Sequence, residues 1–368
     1  MKIAFALAVH KPYDDRLWFE QAQALLEQKH EVFMLSGRID KGDLCFNNHN
    51  MPFRQQINEF YCRLNKVNPD IVICDHPLTI LSAVRYKQKT KNRHIKIYYD
   101  ITEYYPSKIH FHHSSKVINL LKFPFLCGIS FYVSCFVDGF IFGEHYKALP
   151  YRVLCFWKRS INLSYYADLK HIKNFPVHEI KKKFVLFFAG KLTQDAGFDS
   201  FINAAVECAK QFPNTNFVCR IVSRDIEKEY VGINGKNLTT EFFPTFPFVD
   251  FCEKFGDADI FSDLRKIDFE NSHSLPIKLF YYMAAGRPVI YSNLKAIRKG
   301  VPEIDSFGNL VNPKKTYEIT EKIAQYIENQ SLYVQHCDRA RELAKNKYNW
   351  DKIKNIFVNF IETVNRKS

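Results

Sequence analysis

Short apolar runs alternate with segments of helical periodicity from the first residues onward. Residues 2–9 read as a strand, 14–28 carry Leu17, Gln21, Ala24 and Leu25 at helical spacing, and 31–35 are strand-like again. This is a βαβ unit. The alternation continues with strands at 71–74, 95–99 and 139–142 and a helix at 78–86. Apolar strands separated by helices indicate a parallel sheet buried on both faces. After the Lys-rich stretch 181–183 a second series begins: strand 184–189, helix 198–211, strand 217–222, short helix 249–255, and strands 260–261 and 287–291. One architecture is written twice. Polar, Pro- and Asn-containing residues within 158–176 mark the junction, so the predicted domains are 1–163 and 164–350. The last helix, 351–364, sets Ile353, Ile356, Phe357, Phe360 and Ile361 on one stripe that must be buried, against a partner the periodicity does not name.

Composition changes this picture in three places. A chain of 368 residues, 46% hydrophobic and 15% aromatic, is long enough for two packed cores. Its net charge of +13 is spread along the chain rather than gathered on one stripe, and no nucleic-acid module accompanies it. Nucleic acid is therefore excluded as a partner, whereas phosphate-bearing ligands or an anionic membrane surface fit. The ten cysteines form no CxxC pair and read as reduced core residues. With no cleavable signal behind the first strand, a cytoplasmic location is expected. The longest uncharged stretch, 123–137, has 15 residues and contains Pro124 and Gly128, short of the roughly 20 that a spanning helix needs. Lys108, Lys116 and Lys122 precede it. It reads either as a segment that docks peripherally on the inner, anionic face of the membrane or as a helix buried in the first domain.

The most informative segment is 271–293, NSHSLPIKLFYYMAAGRPVIYSN. Ser274 is placed to cap a helix, Pro276 to sit in its first turn, and residues 278–285 to continue it. Gly286 supplies a left-handed end and Pro288 stops the helix before a strand. Such a helix opens at the C-terminal edge of a parallel sheet, where free N–H groups hold a phosphate, and Lys278 in its first turn is unfavourable to the dipole unless an anion is near.

This run resembles the signature of group 1, family-four-type glycosyltransferases, in which Ser-Leu-Pro-Asn-Lys-Leu-Phe-Glu-Tyr-Met leads into a Gly-x-Pro-Val-Ile strand. Other landmarks resemble the family in order: Asp15-Arg16 with Glu20 and His30-Glu31-Val32; Asn68-Pro69-Asp70-Ile71-Val72; Tyr99 to Pro106; Ala189-Gly190-Lys191-Leu192 with Gly197; and Tyr348-Asn349-Trp350 before the final helix. The resemblance implies an α/β protein of two Rossmann-like domains facing across a cleft, the GT-B architecture, with helix 351–368 packing back on the first domain. It implies transfer of a sugar from a nucleotide-diphosphate donor to a glycan or lipid-linked saccharide in cell-surface polysaccharide synthesis, with retention and with neither cofactor nor metal.

Charge developing on a departing diphosphate calls for fixed cations. Lys191 and Lys278 are the candidates, assisted by the donor-side residues His273, Ser274, Leu275, Pro276, Tyr281 and Arg224, with Arg265 and Lys266 in nearby loops. Glu103 or Asp100 is the candidate carboxylate near the sugar or acceptor, and His10, His76 and Asp100 are placed on the acceptor side. The sequence departs from the family where two Glu residues stand eight apart, here His273 and Tyr281. It departs again where a Lys precedes Gly197, here Ala196, and where a first-domain His is Thr102. Tyr281 either offers its hydroxyl to ribose or packs as core. These departures leave open a non-catalytic binding protein and a nucleotide-sugar epimerase on the same fold. A dinucleotide oxidoreductase is disfavoured because no GxGxxG follows the first strand. His110, His112 and His113 lack the spacing of a metal site.

Overall fold

The structure is a computed structural model, described over residues 1–38, 42–103, 105–106, 111, 115–177, 180, 182–224, 235–246 and 250–363. The chain divides into two compact units: Met1–Ser164 with Ile353–Ser368, and Tyr165–Lys352.

In the first unit the chain runs β1 (Lys2–Leu7), a π-wound turn (Asp15–Ala22) passing directly into α1 (Gln23–Glu27), β2 (Glu31–Ser36), α2 (Phe53–Val67), β3 (Ile71–Cys74), α3 (Pro77–Thr90), β4 (Lys96–Ile101), α4 (Lys116–Ser134), β5 (Gly139–Phe142), α5 (His145–Leu154) and β6 (Arg159–Asn162). The six strands form one sheet in the order β2-β1-β3-β4-β5-β6, every pair parallel. Strands β1, β3 and β5 are buried along nearly their whole length, as a sheet covered on both faces requires.

The second unit contains β7 (Lys183–Ala189), α6 (Phe198–Gln211), β8 (Asn216–Val222), β9 (Leu238–Phe243), α7 (Phe251–Phe255), β10 (Ile260–Asp263), α8 (Phe269–Ser272), α9 (Ile277–Ala284), β11 (Val289–Ser292), α10 (Lys295–Gly300), β12 (Gly308–Val311), α11 (Thr316–Glu328) and α12 (Gln330–Asn346). Its sheet is β12-β11-β10-β7-β8-β9, again wholly parallel. All ten cysteines are free thiols.

The final helix, α13 (Lys354–Glu362), belongs to the first unit. Phe360 packs on Tyr98 with ring centroids 5.3 Å apart and on Gly139, where an added Cβ would lie 2.9 Å from the Phe360 ring. A Lys354–Glu27 ion pair at 2.9 Å and a His30–Glu362 hydrogen bond at 3.0 Å flank this contact.

Two expectations need correction. The helix placed at 14–28 is π-wound over its first eight residues. The wider turn aligns positions i and i+5, which brings Arg16 and Gln21 to one face and onto one carboxylate. The strand placed at 287–291 begins only at Val289, because the Arg287 N–H turns back to Tyr282 O at the end of α9 and Pro288 has no N–H to give the ladder; the buried Arg287 guanidinium donates to the carbonyls of Ala258, Phe175, Gly286 and Pro176.

Candidate functional site

In chain order the second sheet has the arrangement 3-2-1-4-5-6, whose order reverses between β7 and β10. In open parallel sheets a ligand crevice forms at that reversal, outside the C-terminal strand ends. Asp263, the last residue of β10, stands there, buried. Its carboxylate accepts from Arg265 Nε at 2.8 Å and from Arg265 Nη2, and Lys278 Nζ lies 3.5 Å from Oδ2. Lys278 Nζ also donates to the carbonyl of Ala189 at the end of β7. One carboxylate between two cations leaves one net positive charge.

The electrostatics agree with this reading. Burial alone would raise the Asp263 pKa, but Arg265 and Lys278 outweigh it and hold the group at about 2. The Lys278 ammonium is lowered by burial and by Arg265, partly offset by Asp263. An anion bound here would relieve that residual repulsion.

Gly197 makes this geometry possible. Its φ is +84°, and a Cβ there would fall 2.0 Å from the carbonyl oxygen of Leu264, the residue between Asp263 and Arg265. Only glycine lets the start of α6 press so close. Lys266 fastens the same junction, its N–H donating to the Asp195 carbonyl at 2.9 Å and its Nζ lying 3.2 Å from the Asp195 carboxylate. Lys191, one residue past Gly190 at the mouth of β7, and Arg224, beyond the end of β8, are both exposed.

The segment before α9 differs from expectation. Ser274 does not cap α9: its hydroxyl donates to Glu270 O at 2.9 Å, closing the short helix α8, which Asp268 caps through Asn271 N. The α9 N-cap is Pro276 and carries no side-chain hydrogen bond. The first N–H groups of α9 are thus uncapped by any side chain, beside Lys278. At the other end Gly286 has φ +70°, as the sequence required. His273 Nδ1 lies 2.6 Å from Phe269 O and its ring packs on Phe269, while Leu275, Pro276 and Tyr281 are buried.

The first sheet, 2-1-3-4-5-6 in chain order, reverses between β1 and β3. His10 follows β1 and Asp75 follows β3, and they meet there with His10 Nδ1 3.0 Å from Asp75 Oδ2. Asp75 also accepts from the N–H groups of Ala8, Val9 and His10 at 2.7, 3.1 and 3.3 Å, which orders the loop after β1. Burial opposes protonation of His10, but the Asp75 carboxylate, helped by Asp14 and Glu103, raises its pKa to about 9. Asp75 in turn is lowered: burial is outweighed by His10 and by the Ala8 N–H. His76 serves as the N-cap of α3, its Nδ1 accepting from Leu78 N at 3.2 Å, and its ring packs edge-on against Tyr105. Glu103 is exposed beyond β4.

Asp100 was expected to face a substrate and does not. It is 0% exposed; Arg16 Nη1 donates to both its oxygens at 2.9 and 2.8 Å, and Gln21 Nε2 donates at 2.7 Å. It is a buried internal partner of the π-wound turn. Among the described residues no group of three or more His, Cys, Asp or Glu side chains is arranged to hold a metal. His110, His112, His113 and Lys108 lie outside the described residues. The Asp263–Arg265 pair and the joining of His10 to Asp75 escaped the sequence reading. The only available signal was an acid at or just past the end of an apolar strand.

Residues 183–329 match the family model described as glycosyl transferases group 1. The resemblance to group 1 glycosyltransferases is thereby borne out, over a segment that contains every second-unit candidate: Lys191, Arg224, His273 to Pro276, Lys278 and Tyr281. No curated protein matches the chain. Among solved structures, sucrose-phosphate synthase from Thermosynechococcus elongatus superposes with a TM-score of 0.70 at 15% identity, covering 100% of both chains. Alr3699/HepE of Anabaena in complex with UDP-glucose gives 0.67 at 14%, covering 99% of this chain and 100% of that one. The lipopolysaccharide outer core galactosyltransferase WaaB, in its apo form, gives 0.61 at 15%, covering 100% of both. At these identities the likeness establishes the GT-B fold.

Proposed function

We propose that the protein is a glycosyltransferase whose second unit binds the diphosphate of a nucleotide-sugar donor at the β7/β10 reversal. The observation that carries this reading is the Asp263–Arg265–Lys278 cluster with its residual positive charge, beside the uncapped start of α9 and within the group 1 segment. Lys278 and Lys191 stabilise the charge that develops on the departing diphosphate. Arg265 supplies the cation missing at Ala196 while keeping Asp263 ionised. Ser274 to Pro276 bring the α9 N–H groups to the phosphate, with His273 and Arg224 at the rim. Tyr281, buried in α9, contributes its position to the helix packing.

On the first unit, His10 as an imidazolium, His76 and Glu103 are the acceptor-side groups of this proposal. The acceptor is a glycan or lipid-linked saccharide of the cell surface, and transfer proceeds with retention and without a metal, at the cytoplasmic side. The solved structures with UDP-glucose and of an outer core galactosyltransferase support a nucleotide sugar and a saccharide as the reactants. The replacement of both family carboxylates by His273 and Tyr281 favours one competing reading, a binding protein without turnover.

A panel of UDP-, GDP-, ADP- and dTDP-sugars tests the proposal by thermal melting. A donor present at a hundred times its Kd stabilises the protein by about 2.7 kcal/mol, a rise of roughly 5–10 °C for a unit of this size. Release of nucleoside diphosphate with formation of a glycosylated product separates transferase from binding protein. No shift with any nucleotide sugar refutes both.

A further inference from the structure

Helix α4 is exposed where a helix of its composition should be covered. Its sequence, KVINLLKFPFLCGISFYVS, contains no acid and only two charges, both lysines. Val117–Ser134 is long and apolar enough to cross a membrane by length and composition, with only 17% of it buried. The 15-residue estimate from the sequence therefore falls short, because the apolar run continues past Lys122 to Val117.

The exposure is not evenly placed. The last turns are fixed in the first unit: Ser130, Val133 and Ser134 are buried, the Ser130 hydroxyl meets the Tyr151 hydroxyl at 2.9 Å, and Val137 follows in the core. Ahead of Ser130, Val117 is 72% exposed, Leu120 76%, Leu121 71% and Phe125 67%, with Ile118 and Phe123 also exposed. At about 100° per residue these six side chains spread over roughly 220° of the circumference, and Asn119, Lys122, Leu126 and Ile129 fill the remaining, half-buried arc. A protein partner or a second copy covers one stripe of a helix. An apolar arc of roughly 220°, about twice the width of such a stripe, calls for a medium that wraps it.

Length then decides how deep the helix goes. At 1.5 Å per residue, the portion ahead of Ser130 reaches roughly 20 Å, less than the about 30 Å of a bilayer core. It enters one leaflet and does not span. Charge favours an anionic leaflet: Lys122 lies on the helix itself, and the chain carries +13. A groove of about 590 Å³ at the other end of α4 brings Lys87, Lys91 and Arg93 together with Phe136.

We propose that the N-terminal half of α4 inserts into one leaflet of an anionic lipid bilayer and holds the first unit at the membrane surface. This is independent of the donor reading, and its assay contains no nucleotide. The full chain is sedimented with vesicles of phosphatidylcholine alone and of phosphatidylcholine mixed with phosphatidylglycerol. Binding is expected to the mixed vesicles and to weaken with salt. Leu121→Asp with Phe125→Asp should lower it at least about tenfold. Because both positions are exposed, the double variant should melt as the parent does.

A Phe125→Trp variant reports depth. Quenching by lipid labelled near the headgroup or mid-chain supports leaflet insertion. Quenching strongest at the bilayer centre, with vesicle binding that neither salt nor detergent-free washing reverses, would overturn it in favour of a span. So would absence of vesicle binding together with a dimer in solution that the double Asp variant dissociates, which would assign the surface to a second copy.

Discussion

Replacing Lys278 by Ala and Arg265 by Ala should separate binding from stability at the candidate donor site. At 3.5 Å and an effective dielectric of about 20, the Lys278–Asp263 attraction is about 5 kcal/mol gross. The desolvation of the ammonium and the repulsion from Arg265 subtract from that. With Lys278 removed, Asp263 keeps both of its Arg265 hydrogen bonds, so the cost in stability should be no more than about 1–2 kcal/mol. Its loss of a charge-assisted contact to the diphosphate is worth about 1.5–3 kcal/mol, or roughly 10- to 150-fold in Kd. In Arg265→Ala the loss of a diphosphate cation comes with a larger cost in stability. The substitution leaves the buried carboxylate with Lys278 alone, 3.5 Å away and without the two guanidinium hydrogen bonds, which costs about 3–5 kcal/mol and lowers Tm by roughly 6–20 °C. Calorimetric titration of UDP and of the donor found by melting, beside scans of the two variants, measures both quantities. The reasoning is refuted if Lys278→Ala leaves donor affinity unchanged, or if it destabilises the protein more than Arg265→Ala does.

Two further outcomes are expected. His10 has a folded pKa of about 9 against an ordinary value of about 6.5. Its pairing with Asp75 therefore stabilises fully below about pH 6.5, and the contribution fades as pH rises through about 9. The stability gap between the parent and His10→Gln should be up to about 3 kcal/mol at pH 6 and close by pH 10; denaturant titrations across that range check it, and a gap that widens with pH would contradict the pairing. Asp100→Ala should cost about 3–5 kcal/mol, because the buried Arg16 loses its counter-charge, while UDP affinity is retained; a stable but inactive variant would return Asp100 to a substrate role.

The legibility of the fold followed burial. Strands in the middle of each sheet, such as β3 and β7, are nearly continuous apolar runs and could be read directly. The three strands that escaped, β6, β9 and β12, are all at sheet edges. There one side of the strand is unpaired, and sequences such as Arg159–Asn162 and Leu238–Phe243 mix exposed polar and half-buried positions. Around the candidate donor site, Gly286 and Pro288 were readable because each obeys a local backbone rule. Ser274 misled because two short helices, α8 and α9, abut there, and the same hydroxyl suits the end of one as well as the start of the other. Asp100 misled for a different reason. An acid at a strand end serves equally as a substrate ligand or an internal counter-ion, and only the distant Arg16 decides which. His10 and Asp75 are 65 residues apart, and no pattern along the chain joins them.

The return of α13 to the first unit sets an order on biosynthesis. As the chain leaves the ribosome, the first sheet is complete at Asn162, yet the hollow over Gly139 and Tyr98 stays unfilled until Phe360 emerges. Roughly two hundred residues intervene, which at 5–20 residues per second is on the order of 10–40 s. The second unit has all its own residues by Lys352 and can fold while the first is still waiting. A nascent chain stalled just short of α13 should therefore carry a protease-resistant second unit and a digestible first one, so that damage at the C-terminus is felt at the opposite end of the gene.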